Sequence, residues 1–209
     1  MLVDIHIHEK SGSNDSQLDI EDAIEMAEKR NIDALCITDH DNLYWKERIK
    51  FFQKKTDILL IVGVEIFTLD GDLLCFGIDK LPKRRMSAKK TIEFVQNKGG
   101  VCIAAHPYRE NNRGLEDKIF KLKNLDAIEV LNGRTKRINN KLCDNMAKKY
   151  NLRICGGSDS HTKKEIGKCI TKFKNKINSE KDFLNEIRNG NFYPLRLDVD
   201  KNIEYQSII

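Results

Sequence analysis

His6 and His8 stand two residues apart near the start of the chain, in a run, LVDIHIH, whose alternation of apolar and polar residues is that of a strand. Alternate residues of a strand share a face. The spacing therefore predicts Asp4, His6 and His8 on one side, with Val3, Ile5 and Ile7 supplying apolar contact on the other. Two imidazoles on one face, about 7 Å apart at their Cβ atoms, can converge on a metal ion, whereas an apolar core gains nothing from them. The other three histidines, His40, His106 and His161, each follow a predicted strand, and carboxylates share these addresses: Asp15, Asp39, Glu65 and Asp159. A set of imidazoles and carboxylates without thiolates suits Zn, Mn or Fe better than Ca or Mg, and more than four ligands implies more than one ion.

The elements that must position these residues alternate along the chain. Apolar runs over 32–38, 58–68, 101–105, 127–131, 152–155 and 169–173 read as strands, separated by an amphipathic segment from Ile20, with Ile20, Ala23, Ile24 and Ala27 on one face, and by helical segments over 43–55, 87–99, 138–150 and 179–189. Asp19 and Ser87 are placed as helix N-caps, and Asp70-Gly71 turns the chain into a strand over 73–78 paired antiparallel with the one before it. Strand and helix in alternation predict an α/β architecture with a largely parallel sheet. About seven units fit, which favours a distorted (β/α)7 TIM-like barrel. An open doubly wound sheet would need a Gly-rich phosphate turn after the first strand, and residues 9–15 are not one. In a barrel the carboxyl ends of the strands meet at one mouth, so all five histidines are expected there.

Composition narrows the function classes. The 209 residues suit a single domain over 1–209, with 40% hydrophobic and 33% charged residues. No apolar run approaches the roughly 18 residues of a membrane span, and the acidic and histidine-bearing start is not a signal peptide. Six scattered cysteines without a C-x-x-C pair read as reduced, buried thiols, and the expectation is a cytoplasmic protein. The net charge of +5, spread without a dense block, permits a phosphate-bearing or nucleic-acid partner without requiring one.

The segments Asp4-x-His6-x-His8, Thr38-Asp39-His40, Gly63-Val64-Glu65, His106-Pro107 and Ser158-Asp159-Ser160-His161, in this order, resemble the PHP (polymerase and histidinol phosphatase) superfamily of metal-dependent phosphoesterases. The stretch from Ile128 to Arg134 is also similar to its counterpart in small stand-alone members. The resemblance implies a distorted seven-stranded barrel holding two to three divalent ions. By position, His6, His8, Glu65 and Asp159 would hold the first ion, Glu65 and His106 the second, and Asp15, His40 and His161 the third. Asp72 stands where many relatives have a histidine, so it is a candidate second-site ligand.

Three divalent ions would outweigh Asp15, Glu65, Asp72 and Asp159 by about two charges and draw an anion into the site. The activity expected is hydrolysis of a phosphate ester of a small metabolite or nucleotide by a metal-bridging hydroxide, with no covalent enzyme intermediate. His161, Asp159, Arg109 and Arg134 are the catalytic candidates, the two arginines because they follow strand ends and can fork onto phosphate oxygens. Asp4, Asp39 and Glu129 are placed behind the ligands as orienting groups. Tyr44 and Trp45 suit packing more than base stacking. Two alternatives are a nuclease acting on oligonucleotide phosphodiesters, with nucleic acid as substrate only, and a metal-binding module without catalysis.

Overall fold

In the computed structural model, which describes residues 1–198 and 203–206, the chain runs β1 (Leu2–Ile7), α1 (Ile20–Lys29), β2 (Ala34–Ile37), α2 (Trp45–Gln53), β3 (Leu59–Phe67) and β4 (Asp72–Phe76). It continues through α3 (Ala88–Gln96), β5 (Val101–Ala104), β6 (Ala127–Asn132), α4 (Arg137–Lys149) and β7 (Ile154–Gly157). β8 (Cys169–Phe173), α5 (Glu180–Asn189), β9 (Phe192–Asp198) and β10 (Ile203–Gln206) complete it, with short 3-10 helices at Glu116–Lys121 and Lys163–Glu165. The ten strands form one sheet in the order β10-β9-β8-β1-β2-β3-β4-β5-β6-β7.

The expectation of a largely parallel sheet holds for β1-β2-β3 and for β5-β6-β7. β4 lies antiparallel to β3, because the turn at Asp70-Gly71 is too short for a crossover helix, and it is antiparallel to β5 as well. β8, β9 and β10 are also antiparallel to their neighbours. The sheet rolls until β7 meets β1. There the Asp159 N–H donates to His6 O at 2.7 Å and the His8 N–H to Ser160 O at 2.8 Å. Lower down, Thr171 of β8 spans the seam: its hydroxyl donates to Gly156 O at 2.7 Å and accepts from the Gly156 N–H at 3.0 Å. The result is a nearly closed barrel.

One buried cluster draws on every strand from β1 to β9, including Val3, Cys36, Ile61, Phe76, Ile103, Cys155 and Phe173, and is therefore the barrel interior. Phe183 and Ile187 of α5 join it, so this helix stops the end of the barrel away from the histidines. Each fully buried side chain of this size contributes about 1.5–3 kcal/mol relative to exposure. Ser179 caps α5 by accepting the Asp182 N–H, and Gly190, at φ 74°, ends it in the left-handed conformation. Two outer clusters cover the sheet, one beneath α3 and α4 and one beneath α1 and α2.

Two local expectations are corrected. Asp19 occupies the N-cap position of α1 in extended conformation, but its carboxylate pairs with Lys10 and makes no cap hydrogen bond. The strict alternation expected of β1 is broken: Asp4 faces Leu35 and Ile7 faces Ile37, so β1 carries one extra residue between them. Val3 and Ile5 consequently pack in the barrel interior, while Ile7 packs under α1 and α2. The Asp4 carboxylate accepts the N–H groups of Ser158 and Gly167, at 3.0 and 2.8 Å, and the His6 N–H at 3.4 Å. All six cysteines are buried free thiols. Among the described residues no helix is long and apolar enough to cross a membrane.

Candidate metal centre

β1 delivers His6 and His8 to the mouth of the barrel, and the ends of β2, β3, β5 and β7 bring His40, Glu65, His106, Asp159 and His161 to the same place. Asp159 and His106 reach it at positive φ, 55° and 29°. For residues other than glycine such backbone is strained by about 1–3 kcal/mol and collects at functional sites. The loop after β1 folds back over this end. Gly12 lies so close to Asp39 that a side chain there would collide with the carboxylate. Asp39 Oδ1 accepts the Glu9 N–H at 2.7 Å and the Ser13 hydroxyl at 2.9 Å, which fixes the loop that carries Asp15. Trp45 is buried and its indole N–H donates to Glu9 Oε2 at 3.0 Å, so it packs as expected and does not enter the mouth.

The donor atoms converge. His6 Nε2 and His8 Nε2 are 3.0 Å apart, Glu65 lies 3.7 and 3.5 Å from them, and Asp159 Oδ1 3.8 and 3.5 Å. His106 Nε2 is 2.9 Å from Glu65 Oε1 and 3.9 Å from both Asp72 Oδ2 and Asp159 Oδ2. Asp15 Oδ2 sits between His40 Nε2 at 3.3 Å and His161 Nε2 at 3.2 Å. Eight of the nine candidate ligands inferred from the sequence fall in overlapping groups: His6, His8 and Glu65; His6, His106 and Asp159; Glu65, Asp72 and His106; and His8, His40 and His161, and the ninth, Asp15, joins the last of these through His40 and His161. Glu65 is the hub. It also lies 2.8 Å from His40 Nδ1, without the alignment of a hydrogen bond.

The polar bookkeeping of this cluster calls for cations. His161 Nδ1 donates to the Asp159 carbonyl at 3.0 Å, so in the neutral ring Nε2 carries only a lone pair, and it faces a carboxylate oxygen of Asp15. His6 is held in the same way, Nδ1 against Glu129 Oε1 at 3.0 Å and Nε2 toward the cluster. His8 Nδ1 contacts the Ser13 hydroxyl at 3.2 Å. His106 Nδ1 is buried with no hydrogen-bond partner among the described residues. Acceptors facing one another at these distances are satisfied by a shared proton or a shared cation. Two ligands about 2.1 Å from one ion lie about 3.0–3.4 Å apart at octahedral to tetrahedral angles, close to the shorter separations found here. Burial lowers the His8 imidazole to about 4, keeping it neutral, while Glu65 and Asp159, although buried, are held well below the usual carboxylate range, with His6 the leading cause. Neutral imidazoles and ionised carboxylates are the forms that ligate divalent ions.

Arg109 does not reach freely into the mouth. Its guanidinium pairs with Asp159 Oδ2 and donates to Asn132 Oδ1 at 2.7 Å and to Thr135 Oγ1 at 3.3 Å. Arg134 is exposed at the rim, and both arginines line a cavity of about 480 Å3 with Arg113, Lys136, Asp15, His40 and His161. Sequence reasoning missed Arg113, which forks onto Asp72, and Asn132, whose amide joins Glu129 and Asp159 at 2.9 and 3.1 Å. A site near a strand end was the one signal available for Asn132. Arg113 gave none.

Fold and site together define a barrel that gathers its histidines and acidic donors at the carboxyl-end mouth. A family model described as PHP-associated matches residues 137–192. The chain is 32% identical over 141 residues to MJ1587, an uncharacterized protein of Methanocaldococcus jannaschii, a match covering 63% of this chain and 82% of that protein. Among solved structures, PsfC of Pseudomonas syringae shares the fold at a TM-score of 0.73 and 17% identity, over 94% of this chain and 91% of its own. An amidohydrolase from Chromobacterium violaceum, solved with bound sulfate and no metal, aligns at 0.66 and 15% identity over 95% and 99%. A protein described as a candidate metal-dependent phosphoesterase from Bifidobacterium adolescentis aligns at 0.62 and 19% identity over 77% and 88%. The chain belongs to the PHP superfamily.

Proposed function

We propose that the chain is a metal-dependent hydrolase of phosphate esters, acting on a small phosphorylated metabolite or nucleotide, with residues 1–209 forming one catalytic unit. The observation that carries the reading is the set of lone pairs and carboxylate oxygens of His6, His8, Glu65, Asp159, Asp15, His40 and His161 facing one another within 3.0–3.8 Å at the mouth. These residues, with His106 and Asp72, would hold two to three ions of Zn, Mn or Fe. When bound, such ions supply Lewis acidity and positive charge to a phosphoryl group.

The chain's own residues do the rest. Glu129 and the Asp159 carbonyl take the Nδ1 protons of His6 and His161, which leaves both Nε2 atoms free to ligate. Arg109 steadies Asp159 and, with Arg134 at the rim, gives the approach a positive lining for an anion. Attack by water, without a covalent enzyme intermediate, is the route this reading takes, because bound ions would acidify a water at the mouth. Among the aligned structures, the name phosphoesterase and the sulfate-bearing amidohydrolase leave the ester and the amide as the two bonds to distinguish.

The test is release of nitrophenol from the monoester and the bis-ester of phosphate, and of nitroaniline from its acetanilide, by Mn- or Zn-loaded protein. Turnover of a phosphate ester, lost in His8→Ala, with solvent oxygen-18 entering the released phosphate, is the expected outcome. Preference for the bis-ester would move the reading toward a nuclease. Cleavage of the anilide alone would replace phosphoryl with acyl chemistry. Metal uptake without any turnover would leave a binding module.

A further inference from the structure

Arg113 is held at the mouth by more than its side chain. Its N–H donates to Asn111 Oδ1 at 3.0 Å, and its carbonyl accepts the N–H of Asp72 at 2.7 Å. The guanidinium then returns to the same residue, Nε to Asp72 Oδ2 at 2.6 Å and Nη2 to Oδ1 at 3.0 Å. The Phe67 ring lies 4.5 Å from it. The close approach depends on Gly71, at φ 148°, where a Cβ would stand 2.7 Å from Gly114 C and Leu115 N. Asp72 is therefore gripped through its main chain and its carboxylate at once.

The placement is asymmetric with respect to the metal centre. Asp72 Oδ2, the oxygen that accepts from Nε, is the one facing His106. Arg109 likewise takes Asp159 Oδ2, the oxygen nearest His106, and leaves Oδ1 toward His6 and His8. Two fixed guanidiniums thus neutralise the Asp72 and Asp159 oxygens that face His106, leaving Glu65 Oε1 at 2.9 Å as its unneutralised carboxylate neighbour, whereas among the described residues the donor group of Asp15, His40 and His161 has no guanidinium hydrogen-bonded to its carboxylate. A divalent ion in the Glu65–Asp72–His106 group meets a permanent positive charge already on one of its ligands.

We propose that Arg113 sets the affinity of the position around His106, making its ion the weakly held, exchangeable one of the centre. This rests on the metal-dependent reading above. The guanidinium cancels the charge of Asp72 before any ion arrives, and the clasp formed with Gly71 keeps it from swinging away. The ions at the other positions are then the retained ones.

The experiment counts Mn2+ retained per chain after desalting and titrates Mn2+ by calorimetry, for the full chain and its variants. Arg113→Met retains one more ion than the parent, and the weakest dissociation constant tightens by about 10- to 100-fold, the repulsion between the guanidinium and a divalent ion being removed. Arg113→Gln, which removes the charge while keeping a donor, gives the same gain and serves if the methionine variant is poorly folded. Arg113→Lys, which keeps the charge, stays with the parent, and adding Asp72→Ala to Arg113→Met cancels the gain. Unchanged retention and affinity in both the methionine and glutamine variants overturns the inference while the parent still binds ions. Absence of Mn2+ uptake by the parent and all variants overturns the metal-dependent reading itself.

Discussion

Glu129 holds three groups with two oxygens: His6 Nδ1 at 3.0 Å, the His106 N–H at 2.9 Å and the Asn132 amide at 2.9 Å. Through the first it selects the tautomer that presents His6 Nε2 to the cluster. Glu129→Gln keeps the shape but replaces one acceptor by an amide that can only donate, so one of the N–H groups loses its partner. Affinity for Mn2+ is expected to fall about 10- to 100-fold, with the secondary structure unchanged. Calorimetric titration checks it, and a variant that binds as tightly as the parent removes the orienting role. The donor types were legible in the sequence, because an imidazole or a carboxylate carries its chemistry wherever it stands. What each donor is tied to was not. Arg113 and Asp72 are 41 positions apart, and Arg109 and Asp159 50, distances over which a residue's neighbour is set by the roll of the sheet.

At the scale of elements, β7 and β8 are not neighbours in the strand order, and Thr171 joins them with a donated and an accepted bond to the backbone of Gly156. Thr171→Val preserves the volume and removes both. Two buried main-chain groups lose a partner, so unfolding free energy is expected to fall by about 1–3 kcal/mol, read as an earlier urea midpoint at an unchanged slope. Stability equal to the parent would mean that β7 closes on β1 alone. The strands and helices themselves were legible from apolar runs and 3.6-residue periodicity, and the 169–173 strand was placed without error. Three features were not. The bulge in β1 and a similar extra residue in β6, between Glu129 and Leu131, follow from pairing geometry that alternation cannot show. Among the described residues β10 pairs with β9 alone, and its short run lacks the apolar signal of a covered strand.

For the molecule as a whole, the metal-free fold and the metal-loaded fold should respond to pH in opposite ways. Burial opposes charge on His6, but Glu129, Asp159 and Glu65 around it outweigh this and hold its proton well above the ordinary imidazole range. A group whose folded value is raised stabilises the fold fully below its unfolded value, about 6.5 for histidine, and that contribution is lost as pH rises through the folded value. Ligation needs the same imidazole neutral, so the contribution from bound ions grows with pH. At a free ion concentration near 100 Kd one ion adds about 2.7 kcal/mol, or roughly 5–10 °C in Tm for a chain of this length. Thermal unfolding with saturating Mn2+ and with chelator, across about pH 6 to 8.5, should therefore show a gap that widens as pH rises and that closes in His8→Ala. A gap that is constant, or widest at the acid end, would mean that His6 is not displacing a proton when the ion binds, and the assignment of His6 Nε2 as a ligand would fall with it.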